Sequence, residues 1–299
     1  MSVGWLRRHA DRGRYPSALL LPRAHGMGGA PSEEATMPEV TSPYQPGTPC
    51  WIDLAAPDQQ AAIDFYSDVF GWTGEIGPPE NGGYAVCMLN GKPVAGIMAA
   101  VPMGGQPAPP TVWTTYLAAA DADATSEAVT KGGGTLLMPV MDVMTLGRMS
   151  IAADPTGAVF GIWQAIDFPG AGTVNESGAL VWNELNTTDP SAAATFYKAA
   201  FGIDSAPMEG AEDYYALTVN DRPVGGMQPM SEQMPTDTPS HWLVYFAVAD
   251  TDATVAKVTA AGGAALQQPF DMVAGRMAVV TDPQGATFAV INPKPMDQG

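Results

Sequence analysis

The 299-residue chain is strongly acidic, with 13 Lys and Arg against 31 Asp and Glu and a formal net charge of −18. With 46% hydrophobic and 15% charged residues, it has the balance of a packed globular protein with room for two domains. So acidic a body repels phosphate backbones and anionic headgroups, and no apolar run approaches the ~18 residues of a membrane span, so neither nucleic acid nor membrane is an expected partner.

Residues 1–46 show no periodicity and are rich in Arg, Gly, Pro and Ser, with Arg7, Arg8, Arg12, Arg14 and Arg23 among them. They are expected to form a disordered tail, and the internal Met27 and Met37 leave the translation start open. The apolar stretch Ala18–Pro22 is shorter than a secretory core of roughly 7–15 residues, so a cytoplasmic location is expected. Cys50 and Cys87 lack any CxxC or metal-ligand spacing and are expected to be reduced and buried.

A first strand is predicted at Trp51–Ala55, running into Asp58, whose short acceptor suits a helix N-cap. The helix then buries Ile63, Tyr66 and Phe70 at three-to-four-residue spacing and ends at Gly71. Tyr84–Leu89 and Val94–Ala99 read as strands around an Asn90-Gly91 hairpin turn. Trp113–Ala119 opens a second strand–helix pair, with a helix from Asp123 to Gly132-Gly133-Gly134. Further strands follow, the last two turning at Asp154-Pro-Thr-Gly157.

The same series then recurs. Trp51-Ile-Asp-Leu matches Trp182-Asn-Glu-Leu at a separation of 131 residues, and Phe65-Tyr66…Phe70-Gly71 matches Phe196-Tyr197…Phe201-Gly202. Trp113 pairs with Trp242, and Gly147-Arg148-Met149…Asp154-Pro155 with Gly275-Arg276-Met277…Asp282-Pro283. In the second copy Asp189 and Pro190 start the first helix, Asn220-Asp221 turns the hairpin, and Asp252 matches Asp123. Each copy therefore reads as two βαβββ units of α+β class, at 47–167 and 180–295, joined by a Gly/Ser-rich connector at 168–179.

Paired βαβββ units with a Phe-Tyr helix, a Phe-Gly ending and a closing Asp-Pro-x-Gly turn resemble the vicinal oxygen chelate superfamily, the glyoxalase, bleomycin-resistance and extradiol dioxygenase group. The segments TSPYQPGTPCWIDL and NESGALVWNEL and the two Gly-Arg-Met runs resemble its double-domain actinobacterial branch, glyoxalase-like or hydroxylase-like. The resemblance implies tandem glyoxalase/bleomycin-resistance-like domains and, in metal-dependent members, a divalent ion held by His, Glu or Gln on inward strand positions. Here those positions fall on Trp51 and Trp182, on Thr114 and Leu243, and on Gly161 and Ala289. None supplies a metal ligand. Of three histidines, His9 and His25 lie in the tail, and His241 is expected at a strand rim.

Alternation along the strands places Trp51, Asp53, Thr114, Tyr116 and Trp163 on one inward face, and Trp182, Glu184, Leu243, Tyr245 and Ile291 on the other. With Met138, Met141, Met144, Met149, Met227, Met230, Met272 and Met277 nearby, the faces read as apolar clefts suited to a flat hydrophobic ligand. The opposing reading is that the tryptophans merely fill the space a metal once held. Asp53 and Glu184 need partners if buried, expected from Arg148 or Arg276 or a backbone amide, and they are the candidate catalytic residues if either cleft is an active site.

The leading expectation is therefore a protein that binds a small hydrophobic or aromatic molecule with no metal or other cofactor, in natural-product biosynthesis or resistance, as a pseudo-symmetric monomer or weak dimer. The alternative is a glyoxalase-like lyase or isomerase, or a hydroxylase-like enzyme of secondary metabolism. No Ser-His-Asp or Cys-His set, P-loop or GxGxxG fingerprint is present.

Overall fold

Backbone hydrogen bonding and side-chain alternation organise the chain into two sheets, seen in a computed structural model that describes residues 40, 43–102, 108–208, 211–231 and 238–294. Most of the expected tail, with His9, His25, Met27 and Met37, lies outside the described residues. Of the part that is described, the Val40 amide donates to the Gly172 carbonyl and the Tyr44 hydroxyl to the Ala171 carbonyl, 2.9 Å away.

The first half runs β1 (Pro49–Ala56), α1 (Gln59–Phe70), β2 (Ala85–Leu89), β3 (Lys92–Ala99), β4 (Trp113–Ala118), α2 (Ala122–Lys131), β5 (Thr135–Val143), β6 (Gly147–Ala153) and β7 (Val159–Ala165). The second runs β8 (Leu180–Thr187), α3 (Pro190–Phe201), β9 (Asp204–Pro207), β10 (Tyr215–Val219), β11 (Arg222–Pro229), β12 (His241–Ala247), α4 (Thr251–Ala260), β13 (Ala264–Met272), β14 (Gly275–Thr281) and β15 (Thr287–Pro293). The sheets are ordered β2-β3-β1-β4-β7-β6-β5 and β13-β14-β15-β12-β8-β11-β10-β9. This is the α+β pattern of two tandem copies that the sequence repeat predicts. Three of the four units are βαβββ. In the first unit the strand after the helix shrinks to a single bridge between Thr73 and Met88.

Local chemistry fixes the ends of these elements. Asp58 caps α1 by accepting from the Ala61 amide at 3.0 Å, Asp189 caps α3 likewise from Ala192 at 2.9 Å, and Gly71 and Gly202 close both helices with left-handed φ of 74° and 70°. Asn90 and Gly91, and Asn220 and Asp221, take positive φ at both central positions, the twist-compatible hairpin turn. The second helix of each copy starts earlier than its first aspartate pattern suggests. Asp121 and Asp250 cap α2 and α4, while Asp123 and Asp252 are engaged by Arg148 and Arg276.

Each sheet turns one face to the other copy. Ile52, Leu54 and α1 pack with Val244, Phe246, α4 and Phe288, and Leu117, Val129 and Phe160 pack with Leu185 and α3, so both main cores are built jointly. Polar threads run through them. The Trp113 indole donates to the Tyr66 hydroxyl, which donates to Asp282 of the other copy, and Trp242, Tyr197 and Asp154 repeat the chain in reverse. At the centre, Thr115 donates to Asn183 at 2.8 Å. Asp154 and Asp282 also accept the amides of their own Asp-Pro-x-Gly turns, so each turn anchors the partner copy's helix tyrosine.

The opposite faces carry separate smaller clusters, one around Cys50, Trp51, Tyr116 and Trp163 and one around Trp182, Tyr214, Leu243, Tyr245 and Ile291. The connector at 168–179 is not a loose tether. Its Ala171 and Gly172 amides bond the carbonyls of Cys50 and Pro93, and the Gly178 carbonyl receives the Trp72 indole. Among the described residues no helix is long and apolar enough to cross a membrane.

Candidate functional site

In antiparallel and parallel pairs alike, residues directly opposite share a face. In the first copy Trp51 lies opposite Tyr116, Asp53 opposite both Thr114 and Gly96, Tyr116 opposite Gly161, and Ala118 opposite Trp163. In the second, Trp182 lies opposite Tyr245, Glu184 opposite Leu243 and Gly226, Tyr245 opposite Ala289, and Ala247 opposite Ile291. All ten expected positions thus fall on the two outward faces. Apart from half-exposed Thr114, every one of them is buried.

The acids sit at the centre of these faces. Asp53, 3% exposed, accepts at Oδ2 from Tyr116 at 2.8 Å and from Tyr84 at 3.3 Å, while Tyr84 itself accepts the Trp51 indole N–H at 2.8 Å. Its Oδ1 is buried without a hydrogen-bond partner. Burial pushes the Asp53 carboxyl up to about 7, against a smaller downward pull from the Tyr116 and Tyr84 hydroxyls. Tyr84 is placed by a glycine: a Cβ at Gly96 would fall within bonding distance of its hydroxyl.

Glu184 is held more completely. Its Oε1 accepts from Tyr245 and from Gln228, each at 2.9 Å, and from Asn186 at 3.4 Å. The Tyr214 hydroxyl also bonds the carboxylate and accepts the Trp182 indole at 3.0 Å. Gln228 is fixed in turn by Asn186 at 3.0 Å. Burial raises this carboxyl too, opposed by those four neighbours, and none of its oxygens is both buried and unpaired.

The arginines are not the partners of the acids. Arg148 pairs with Asp123 and Asp142, and Arg276 with Asp252 and Asp271, at the exposed edge of each sheet. Tyrosines take their place, because a neutral hydroxyl enters a buried face at far lower desolvation cost than a guanidinium. Met227 is likewise turned away from the clefts, opposite Leu185 in a shared core, while Met141 and Met144 are exposed. Met149 and Met277 do line the cleft clusters. His241 lies at a strand end opposite Asn186, its Nδ1 3.0 Å from the Pro239 carbonyl oxygen. Cys50 and Cys87 are free and buried, and burial pushes both thiols up, Cys87 to about 12.

Tyr84, Tyr214, Asn186 and Gln228 were not singled out from the sequence. The signal was present: Tyr84 and Tyr214 stand 130 residues apart, as do Gly96 and Gly226, the glycines their hydroxyls lie against.

The residues at the implied metal positions do not fit an ion. Tryptophan occupies the first-strand position of both copies, and the Tyr116 ring lies over Gly161 so closely that any side chain there would collide with it. Among the described residues no group of three or more His, Cys, Asp or Glu gathers as a ligand set. Two shallow grooves lie away from the clefts, one where the end of α1 meets the start of α4 and one where Pro155 faces α3.

Residues 50–162 match the Glyoxalase/Bleomycin resistance protein/Dioxygenase superfamily, and residues 182–291 match the Glyoxalase-like domain. The chain is 47% identical over 259 residues to CFP32 of Mycobacterium tuberculosis, provisionally named a glyoxylase, covering 85% of this chain and 98% of the relative. The chain belongs to the glyoxalase/bleomycin resistance superfamily. It is also 38% identical to the anthracycline biosynthesis protein DnrV of Streptomyces peucetius, covering 83% of this chain and 94% of that one. Similar solved structures include a Mn(II)-bound glyoxalase from Novosphingobium aromaticivorans, at TM-score 0.57 and 16% identity with 85% of each chain covered. A catechol 2,3-dioxygenase aligns at TM-score 0.54 and 13% identity, over 85% of this chain and 92% of that one. At such identities the likeness concerns the fold.

Proposed function

We propose that this superfamily member binds a small, flat, hydrophobic or aromatic molecule without a metal, in the biosynthesis of, or resistance to, a natural product. The observation that carries this reading is the replacement of ligand positions by rings: Trp51 and Trp182 on the first strands, with Tyr116 lying where a last-strand side chain would project. Aromatic walls offer large contact area at little conformational cost, and a central acid supplies orientation. The relatives named for anthracycline biosynthesis point to the same class, polycyclic aromatics.

Tryptophan fluorescence titrated with a panel of anthraquinones and anthracyclines tests it. Saturable quenching is expected, and its absence across the panel sinks the reading. A stoichiometric divalent ion found by elemental analysis of the purified protein would overturn the metal-free part.

One observation favours a second reading, a metal-free enzyme of secondary metabolism. Asp53, with its carboxyl near 7 between two tyrosine hydroxyls, has the acidity of a general acid–base group. Under that reading Asp53→Asn abolishes turnover of a bound substrate while binding persists.

A further inference from the structure

The two clefts carry the same rings but not the same polar complement. Opposite one another beside Asp53 stand Ala55 and Met98; at the matching places beside Glu184 stand Asn186 and Gln228. Those amides bond Glu184, and nothing equivalent reaches Asp53. Among the described residues only Asp53 Oδ1, Ser126 Oγ and Gln267 Oε1 are buried side-chain N or O atoms without a partner; Asp53 lies at the centre of the first cleft face, Gln267 at the flank of the second, opposite Val279, and Ser126 on α2. A bare carboxylate oxygen is the costliest of the three to leave unpaired.

The covers differ in the same sense. Over the first cleft Tyr84, Met149 and Phe168 are half-buried, whereas their second-cleft counterparts Tyr214 and Met277 are 3% and 2% exposed. Phe168 stands edge-on to Trp51 at 4.9 Å, closing the wall with an aromatic edge. Tyr84 and Met149 thus lie nearer solvent than Tyr214 and Met277, while the half-buried residues over the second cleft are Phe270 and Met272, on its outer strand β13.

Resting on the binding function proposed above, we infer that the first cleft alone holds the ligand, and that Asp53 Oδ1 accepts a hydrogen bond from an N–H or O–H group carried by the aromatic molecule. Both tyrosine hydrogens already converge on Oδ2, since Tyr84 spends its acceptor capacity on the Trp51 indole and donates to Asp53, as Tyr116 does. Two donors on one oxygen favour the carboxylate, and above about pH 7, where the group has lost its proton, its other oxygen is an acceptor. Glu184 has its donors supplied by its own chain. It acts as a structural counterpart.

Calorimetric titration of the full chain at about pH 8, above the Asp53 transition, with three matched probes decides the matter: 2-methylanthraquinone, 2-(hydroxymethyl)anthraquinone and 2-aminoanthraquinone. One site per chain is expected, with at least one donor-bearing probe bound about tenfold tighter than the methyl compound, as for one hydrogen bond to a charged group. Which probe gains tells whether the group is O–H or N–H, and either supports the inference. That advantage should vanish in Asp53→Asn and persist in Glu184→Gln. Equal affinity for all three probes in the unmodified protein, two sites per chain, or loss of the advantage in Glu184→Gln with retention in Asp53→Asn would each overturn the inference while leaving aromatic binding standing. Failure of every probe to bind would overturn both.

Discussion

In the first cleft the carboxylate of Asp53 leans on two tyrosine hydroxyls and keeps one oxygen bare, whereas in the second Glu184 is wrapped by two tyrosines and two amides. The difference comes from two side chains per face, Ala55 and Met98 against Asn186 and Gln228, on strands that otherwise superpose position for position. Both copies carry an acid at this place, and its length together with its neighbours decides whether it is satisfied within the chain.

The largest effect should come from making the second cleft resemble the first. Gln228→Met combined with Asn186→Ala strips Glu184 of its amide donors and should lower stability by about 3–5 kcal/mol, read by urea unfolding. The reverse change, Met98→Gln, should supply Asp53 with a donor and draw its carboxyl below its present value near 7, which carbon-detected NMR titration would show.

A pH series separates the clefts next. Between 3.8 and about 7 the folded chain keeps a proton on Asp53 that the unfolded chain has released, so the stability this group confers is full at low pH and declines as pH rises through that window. Asp53→Asn should remove about 3 kcal/mol of that decline between pH 4 and pH 8. An unchanged slope would show that Asp53 is not the group responsible. Smaller still is a packing test. Gly161→Ala forces a methyl into the Tyr116 ring and should cost ~2 kcal/mol, whereas Ala289→Gly on the other side should cost ~1 kcal/mol, compared by thermal melts. Last, Tyr214→Phe and Tyr84→Phe should each cost ~1 kcal/mol, because each removes a hydroxyl that joins a tryptophan indole to a cleft acid.

Much of this architecture was legible in the sequence because it rests on short-range rules. Asp58 and Asp189 cap helices, Asn90-Gly91 turns a hairpin, and strand alternation alone put Trp51 with Asp53 and Tyr116 on one face. What could not be read depends on distant partners. Asp121 and Asp123 are equally good caps by local chemistry, and the choice is made by Arg148 reaching across from β6. Strand order alone does not say that Tyr84 reaches over Gly96 to Asp53, since that contact joins the residue before β2 to β1 across β3. Met227 illustrates the same limit: its residue type suits a cleft, but one step of alternation sends it to the other face.

The two Trp–Tyr–Asp threads carry a consequence for how such a chain can evolve and be handled. Each copy keeps its helix tyrosine anchored by the other copy's turn, so neither half owns a complete interior. Cutting the chain at the connector would give two fragments that each lose a buried anchor, and heating the whole should melt both halves in a single cooperative step. A lineage with this arrangement is free to let one cleft drift towards a purely structural role while the other keeps its chemistry, but it is not free to discard either copy.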